Sequence, residues 1–254
     1  MRTSLLDIPR ELRDKIYEYV LLSPTGFIEP NEVSRLERFP SAIPSSTTST
    51  THRFVLNILH PQDRYNIENA QTYITTSILR TNRQIYQESK ELFWRRNTFY
   101  FRSAVTLGWT LKAMGQAPSR LIKAIRLHET QAITPRNMKA VAKALRLLAS
   151  RARHGDFRKL DLSFSAHRME ALVRNRESNN AKLQEEYDEF LRMFREASTG
   201  CKYERSVEAS MWDLDGSLRL ASQWENVIRD VHFAYGGRFY WDGVLLWDNY
   251  VAVS

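Results

Sequence analysis

The chain has 254 residues, 43 % hydrophobic and 26 % charged, with 9 Gly and 8 Pro, a composition that excludes collagen-like and wholly disordered classes. Its single cysteine excludes a disulfide scaffold. The formal charge of +8 is uneven: residues 1–100 carry 13 Lys+Arg against 11 Asp+Glu, residues 101–176 carry 16 against 4, and residues 177–254 carry 8 against 14. The basicity therefore belongs to the middle, where it either forms a binding face or is neutralised by the acidic end.

In chain order, Asp7 and Pro9 interrupt the apolar opening, so no secretory leader is expected, and the unpaired Cys201 fits a cytoplasmic or nuclear location. No window approaches the roughly 18 apolar residues of a membrane span, and no membrane association is expected. A first helix starts at Pro9, with Glu11 favouring its N-terminal dipole and Leu12, Ile16, Tyr19 and Val20 as its apolar stripe. From about 23 to 76 the pattern lapses, and the hydroxyl-rich run 40–51 predicts a mobile insertion. Periodicity resumes at Ser77 with Ile78, Ile85, Ser89, Leu92 and Phe93 on one side.

Asn97–Phe101 is short, aromatic and β-prone, and opens an alternation of strands and helices. Strands are expected around 121–127, 160–164 and 207–212, a further one at Val231–Tyr235, and a terminal hairpin in which 239–241 and 244–247 flank Asp242-Gly243. Between the strands, Thr134 and Pro135 start a helix with Met138, Val141, Leu145, Leu148 and Ala152 inward and Lys139, Lys143, Arg146 and Arg153 outward, stopped by Gly155 in a left-handed conformation. Further helices are expected over 181–198 and 217–228. The fold class is α/β, or α+β, in which a helical front packs on an alternating strand-helix body ending in the β-hairpin.

Catalytic signatures do not emerge. The six histidines are not paired at the spacing that presents two ligands from one helix, and there is no nucleophile elbow, phosphate-cradling loop or dinucleotide fingerprint. No enzyme activity, metal or cofactor is expected.

The run Leu5–Leu21, with Leu5, Leu6, Ile8, Pro9, Leu12 and Ile16 as its apolar positions, is followed by Ile78–Ser89 and by Asn97–Phe101. These three blocks in this order resemble the filamentous-fungal F-box-like proteins. The resemblance implies an adaptor that binds the Skp-type linker of a cullin-RING ubiquitin ligase through those six residues while the rest of the chain holds a target protein. It divides the chain into an F-box-like region, 1–96, and an α/β body, 97–254. The alternative is a binder of nucleic acid or of an acidic protein partner through 101–176, with Lys139, Lys143, Arg146 and Arg153 as its basic face. Nucleic acid is the less favoured partner, because no nucleic-acid motif accompanies those residues.

Overall fold

A computed structural model describes residues 4–32, 54–58, 74, 76–129, 135–164, 166–198, 203–209, 219–241 and 244–249. The chain divides into two compact units, Met1–Phe99 and Tyr100–Ser254.

In the first unit a 3-10 turn, Leu5–Asp7, leads into α1 (Arg10–Leu21), followed by β1 (Phe27–Glu32), β2 (Phe54–Ile58), a second 3-10 turn (Ser77–Arg80), α2 (Arg83–Arg96) and the start of β3 (Thr98–Phe101). Asn82 caps α2 by accepting from the Gln84 N–H, so the helix begins at Arg83 rather than at Ser77, where the apolar pattern resumes. Along α2, Ile85, Ser89 and Phe93 recur every four residues and are buried, and Phe93 meets Trp94 and Phe99 edge-on. β1 pairs antiparallel with β2 and, at Phe27 and Ile28 only, parallel with β3. Pro30 lies past that parallel pairing, where its missing N–H breaks no bond to β3. The insertion expected over about 23–76 thus contains two paired strands, Phe27–Glu32 and Phe54–Ile58. The hydroxyl-rich run 40–51 lies outside the described residues.

The buried face of α1 differs from the expected one. Arg13, Tyr17 and Leu21, one turn apart, face inward, whereas Leu12 and Tyr19 from the anticipated stripe are 50 % and 91 % exposed. A periodicity count treats arginine as solvent-facing, and so assigned the inward side to the neighbouring row.

The second unit comprises α3 (Ala104–Met114), α4 (Gln116–Leu121), β4 (Ala124–Glu129), α5 (Pro135–His154), β5 (Lys159–Phe164), α6 (Ala166–Glu177), α7 (Ala181–Ser198), β6 (Glu204–Ala209), α8 (Arg219–Tyr235), β7 (Gly237–Trp241) and β8 (Val244–Asn249). β4, β5, β6 and β7 pair in parallel in sequence order, and β8 returns antiparallel to β7. The α/β class and the terminal hairpin are thus present, although residues 242–243 between its strands lie outside the described residues. Right-handed crossovers between sequential neighbours place their helices on one face of the ladder. The helices pack as a layer, α3 on α5, α5 on α7 and α7 on α8. Ile125, Leu127, Leu160, Leu162, Phe164 and Val207 are buried on that side, with Phe164 against Phe190 and Phe194 of α7.

The other side of this ladder is polar. Arg126, Asp161, Ser206 and Arg238 occupy one row and His128 and Ser163 the next. A sheet covered on both faces would show continuous apolar strands; here the strands alternate, as in a sheet with helices on one side.

Three helices, α3, α4 and α6, were not anticipated from the sequence. α3 has a legible start, since Ser103 accepts from the Thr106 N–H, but its mixed apolar and threonine composition gave no clean stripe. Val231–Tyr235 is not a strand but the last turns of α8: Val227, Val231, Ala234 and Tyr235 are buried while Phe233 is 71 % exposed, a period of four that a strand would not produce. Gly155 does not take the left-handed stop expected of it. Its lack of a side chain serves a close approach instead, because a Cβ there would lie 2.7 Å from the Arg120 carbonyl oxygen. Thr134 and Cys201 lie outside the described residues.

Candidate functional site

The front of the first unit is organised around one carboxylate, Glu88, whose side chain is only 9 % exposed. Arg13 donates from Nε to Glu88 Oε2 (3.0 Å) and from Nη2 to Glu88 Oε1 (2.8 Å), a two-pronged contact between α1 and α2. The Tyr17 hydroxyl donates to Glu88 Oε2 at 2.9 Å, and Gln84 Nε2 donates to Oε1 at 2.9 Å. The Arg13 contact, aided by Gln84, Tyr17 and the charge of Arg10, holds the Glu88 carboxyl down at about 2. Burial, followed by the neighbouring carboxylate, raises the Tyr17 phenol. Burying these groups is tolerable because each polar atom has a partner in place of water.

Arg13 does a second job. Its Nη1 donates to the carbonyls of Leu6 (3.2 Å) and Ile8 (2.7 Å), which fixes the 3-10 turn and the residue that follows it ahead of α1. Ser4 closes the other end of that run: its hydroxyl accepts from the Leu6 N–H while the Asp7 carboxylate accepts from the Ser4 N–H at 2.7 Å. At the far end of the helices, Asn97 donates from Nδ2 to the carbonyls of Leu21 and Phe93 (2.9 Å each) and accepts from the Ser23 N–H. It thereby joins the C-termini of α1 and α2.

This framework holds an apolar surface outward. Pro9 and Leu12 are exposed, Leu5, Leu6, Ile8 and Ile16 are half-buried, and no residue of the Leu5–Asp7 turn is buried. Leu12, Ile16 and Tyr19 lie at i, i+4 and i+7, on one side of α1. Among the described residues five large apolar side chains are exposed, and two of them, Leu12 and Tyr19, are on this helix. None of the six residues expected to meet a linker is buried, and the two of them on α1, Leu12 and Ile16, share a side of the helix with Tyr19. Tyr19 belongs to the apolar stripe legible in the sequence but not to the six residues expected to meet a linker, and its position seven residues after Leu12 is the signal that joins it to them.

The four basic residues of α5 are also exposed, with Val141, Ala144, Leu145 and Leu148 buried on the helix's other side. Part of the surrounding charge is neutralised within the second unit. Arg146 lies 3.6 Å from Glu196 of α7, and Arg176 donates to Asp230 at 2.8 Å. Asp230 also accepts from the buried Tyr187 hydroxyl, whose phenol is raised by burial first and by that carboxylate second.

On the polar side of the sheet, Lys159 lies 3.1 Å from Asp161, which accepts from Ser206, and Arg238 donates to Glu204. Beside them His128 contacts Ser163 through Nδ1 and stacks on Tyr100. Among the described residues no group of three or more His, Cys, Asp or Glu side chains could hold a metal ion, and no helix is long and apolar enough to cross a membrane.

No curated protein matches the chain. One solved structure it resembles is described as "GH6 Orpinomyces sp. Y102 enzyme", at 12 % identity and a TM-score of 0.33, covering 63 % of this chain and 52 % of that one. The chain thus spans about half the length of that protein, and so slight a likeness carries no argument about fold or activity. A family profile described as a domain of unknown function, DUF7730, matches residues 1–146. That span includes α1, α2 and the Arg13–Glu88 cluster, and since it covers more than half of the chain, the protein belongs to the DUF7730 family.

Proposed function

We propose that this protein is a non-enzymatic, F-box-like adaptor whose front surface docks a Skp-type linker while its α/β body holds a target. The observation that carries this reading is the apolar row Leu12, Ile16 and Tyr19 on one side of α1, exposed at Leu12 and Tyr19 and half-buried at Ile16, preceded by the exposed Pro9 and the half-buried Leu5, Leu6 and Ile8, whose main chain Arg13 ties down at Leu6 and Ile8. An apolar helix face left in water costs free energy that a partner groove recovers, and i, i+4, i+7 anchors are how such grooves read a helix. The residues shared with fungal F-box-like sequences divide accordingly. Arg13, Tyr17, Glu88 and Asn97 build the pair of helices, and Pro9, Leu12 and Ile16 remain for a partner. The body offers a separate polar sheet face and a basic helix, which leaves the linker and the target on different elements.

Co-purification with a Skp-type linker tests the proposal. Wild-type protein is expected to retain the linker, and Pro9→Ala combined with Ile16→Ala is expected to weaken it by about 1–3 kcal/mol for each anchor lost. A wild-type chain that fails to retain the linker sinks the reading.

A further inference from the structure

The excess positive charge of residues 101–176 resolves into partnered and unpartnered cations. Arg176 is taken by Asp230, Lys159 by Asp161, and Arg158 by the carbonyls of Gly155 and Phe157. Lys139, Lys143 and Arg153 are different: they are exposed and have no ionic or hydrogen-bonding partner among the described residues. With Arg146 they stand at i, i+4, i+7 and i+14 along α5, a stripe about 80° wide and about 21 Å long at helical geometry. The 20 residues of this helix include no Asp or Glu, so the stripe has a single sign. The carboxylate that reaches it from a packed neighbour is Glu196 of α7, at the long distance of 3.6 Å from Arg146 and with both side chains exposed.

We propose that this stripe docks an acidic segment of a partner protein. Four cations of one sign, spaced by four, three and seven residues, complement carboxylates recurring at the same intervals on a facing amphipathic helix. Nucleic acid fits less well. α5 has no Phe, Tyr or Trp on which bases could stack, and four charges along about 21 Å fall far short of the charge density of a duplex, about one phosphate per 1.7 Å. The docking is independent of the linker surface, since it uses the other unit of the chain.

The test uses the full chain and a fluorescein-labelled helical peptide of about 21 residues, with Glu at the first and fifth positions of each heptad so that carboxylates recur at i, i+4 and i+7, read by anisotropy at about 50 mM salt. Wild-type protein is expected to bind and to weaken steeply as salt rises. The triple variant Lys139→Glu, Lys143→Glu, Arg153→Glu should lose about tenfold or more in affinity at an unchanged melting temperature, and Lys139→Gln with Lys143→Gln an intermediate amount. The milder pair keeps the test decisive if the triple variant fails to fold. Absence of wild-type binding, or affinity indifferent to both sets of substitutions, overturns the proposal. A labelled single-stranded RNA or DNA duplex that binds more tightly than the peptide and is lost with the same substitutions overturns the assignment to a protein partner. Linker retention by the same preparations is measured separately, so failure at α5 and failure at α1 are distinguishable.

Discussion

Glu88 shows how much of the first unit depends on one side chain. It receives Arg13, Tyr17 and Gln84, and Arg13 in turn holds the Leu6 and Ile8 carbonyls. Because folding depresses its carboxyl from 4.5 to about 2, its contribution to stability is complete above about pH 4.5 and is lost as pH falls toward 2. Urea midpoints followed across that window should decline in the wild type, and Glu88→Gln should start lower and decline less. Tyr17→Phe removes one bond to a charged acceptor and is expected to cost about 1–3 kcal/mol in the same assay. Asn97→Ala leaves two buried carbonyls and the Ser23 N–H without their partner, for an expected loss of similar size. The contacts of Glu88 with Tyr17 and Arg13 were not legible in the sequence, because 71 and 75 residues separate them and a charged residue reads as solvent-facing. The signal present was that all three lie in Leu5–Leu21 and Ile78–Ser89, two of the blocks on which the resemblance to F-box-like sequences rests.

At the scale of single elements, the sequence was most legible where one face was uniformly apolar. α7 spans Ala181–Ser198 as expected, and α5 buries Val141, Leu145 and Leu148 while exposing its cations. The alternation at Ile125–Leu127 and Leu160–Phe164 likewise marked β4 and β5. It failed where local β-propensity opposed tertiary packing, as at Val231–Tyr235, which forms the end of α8. The helix makes a prediction that the strand reading reverses. Val231→Ala should cost about 1–3 kcal/mol in thermal or chemical denaturation, whereas Phe233→Ser should stay within about 0.5 kcal/mol. A strand would bury residues 231, 233 and 235 together and make the phenylalanine the costlier loss. Gly155→Ala should also destabilise, by about 1–3 kcal/mol, since the added methyl meets the Arg120 carbonyl at 2.7 Å.

For the whole molecule, the α/β class and the terminal hairpin could be read from alternation and the Asp242-Gly243 turn signal, but the disposition of surfaces could not. The sequence could not reveal that α1 turns an arginine inward and leucine and tyrosine outward, or that the parallel ladder of the second unit has a polar side. Both follow from long-range pairing, which local periodicity does not contain. The central claim is that the outward row of α1 recognises a linker, and isothermal titration of a Skp-type linker against wild-type protein and the variant Leu12→Asp with Tyr19→Asp tests it most directly. Both positions are at least half exposed, so the variant should melt with the wild type. The account predicts a measurable affinity for the wild type that falls by two orders of magnitude or more, about 3 kcal/mol, in the variant. Equal affinity in the two proteins, or no heat of binding with either, would contradict it.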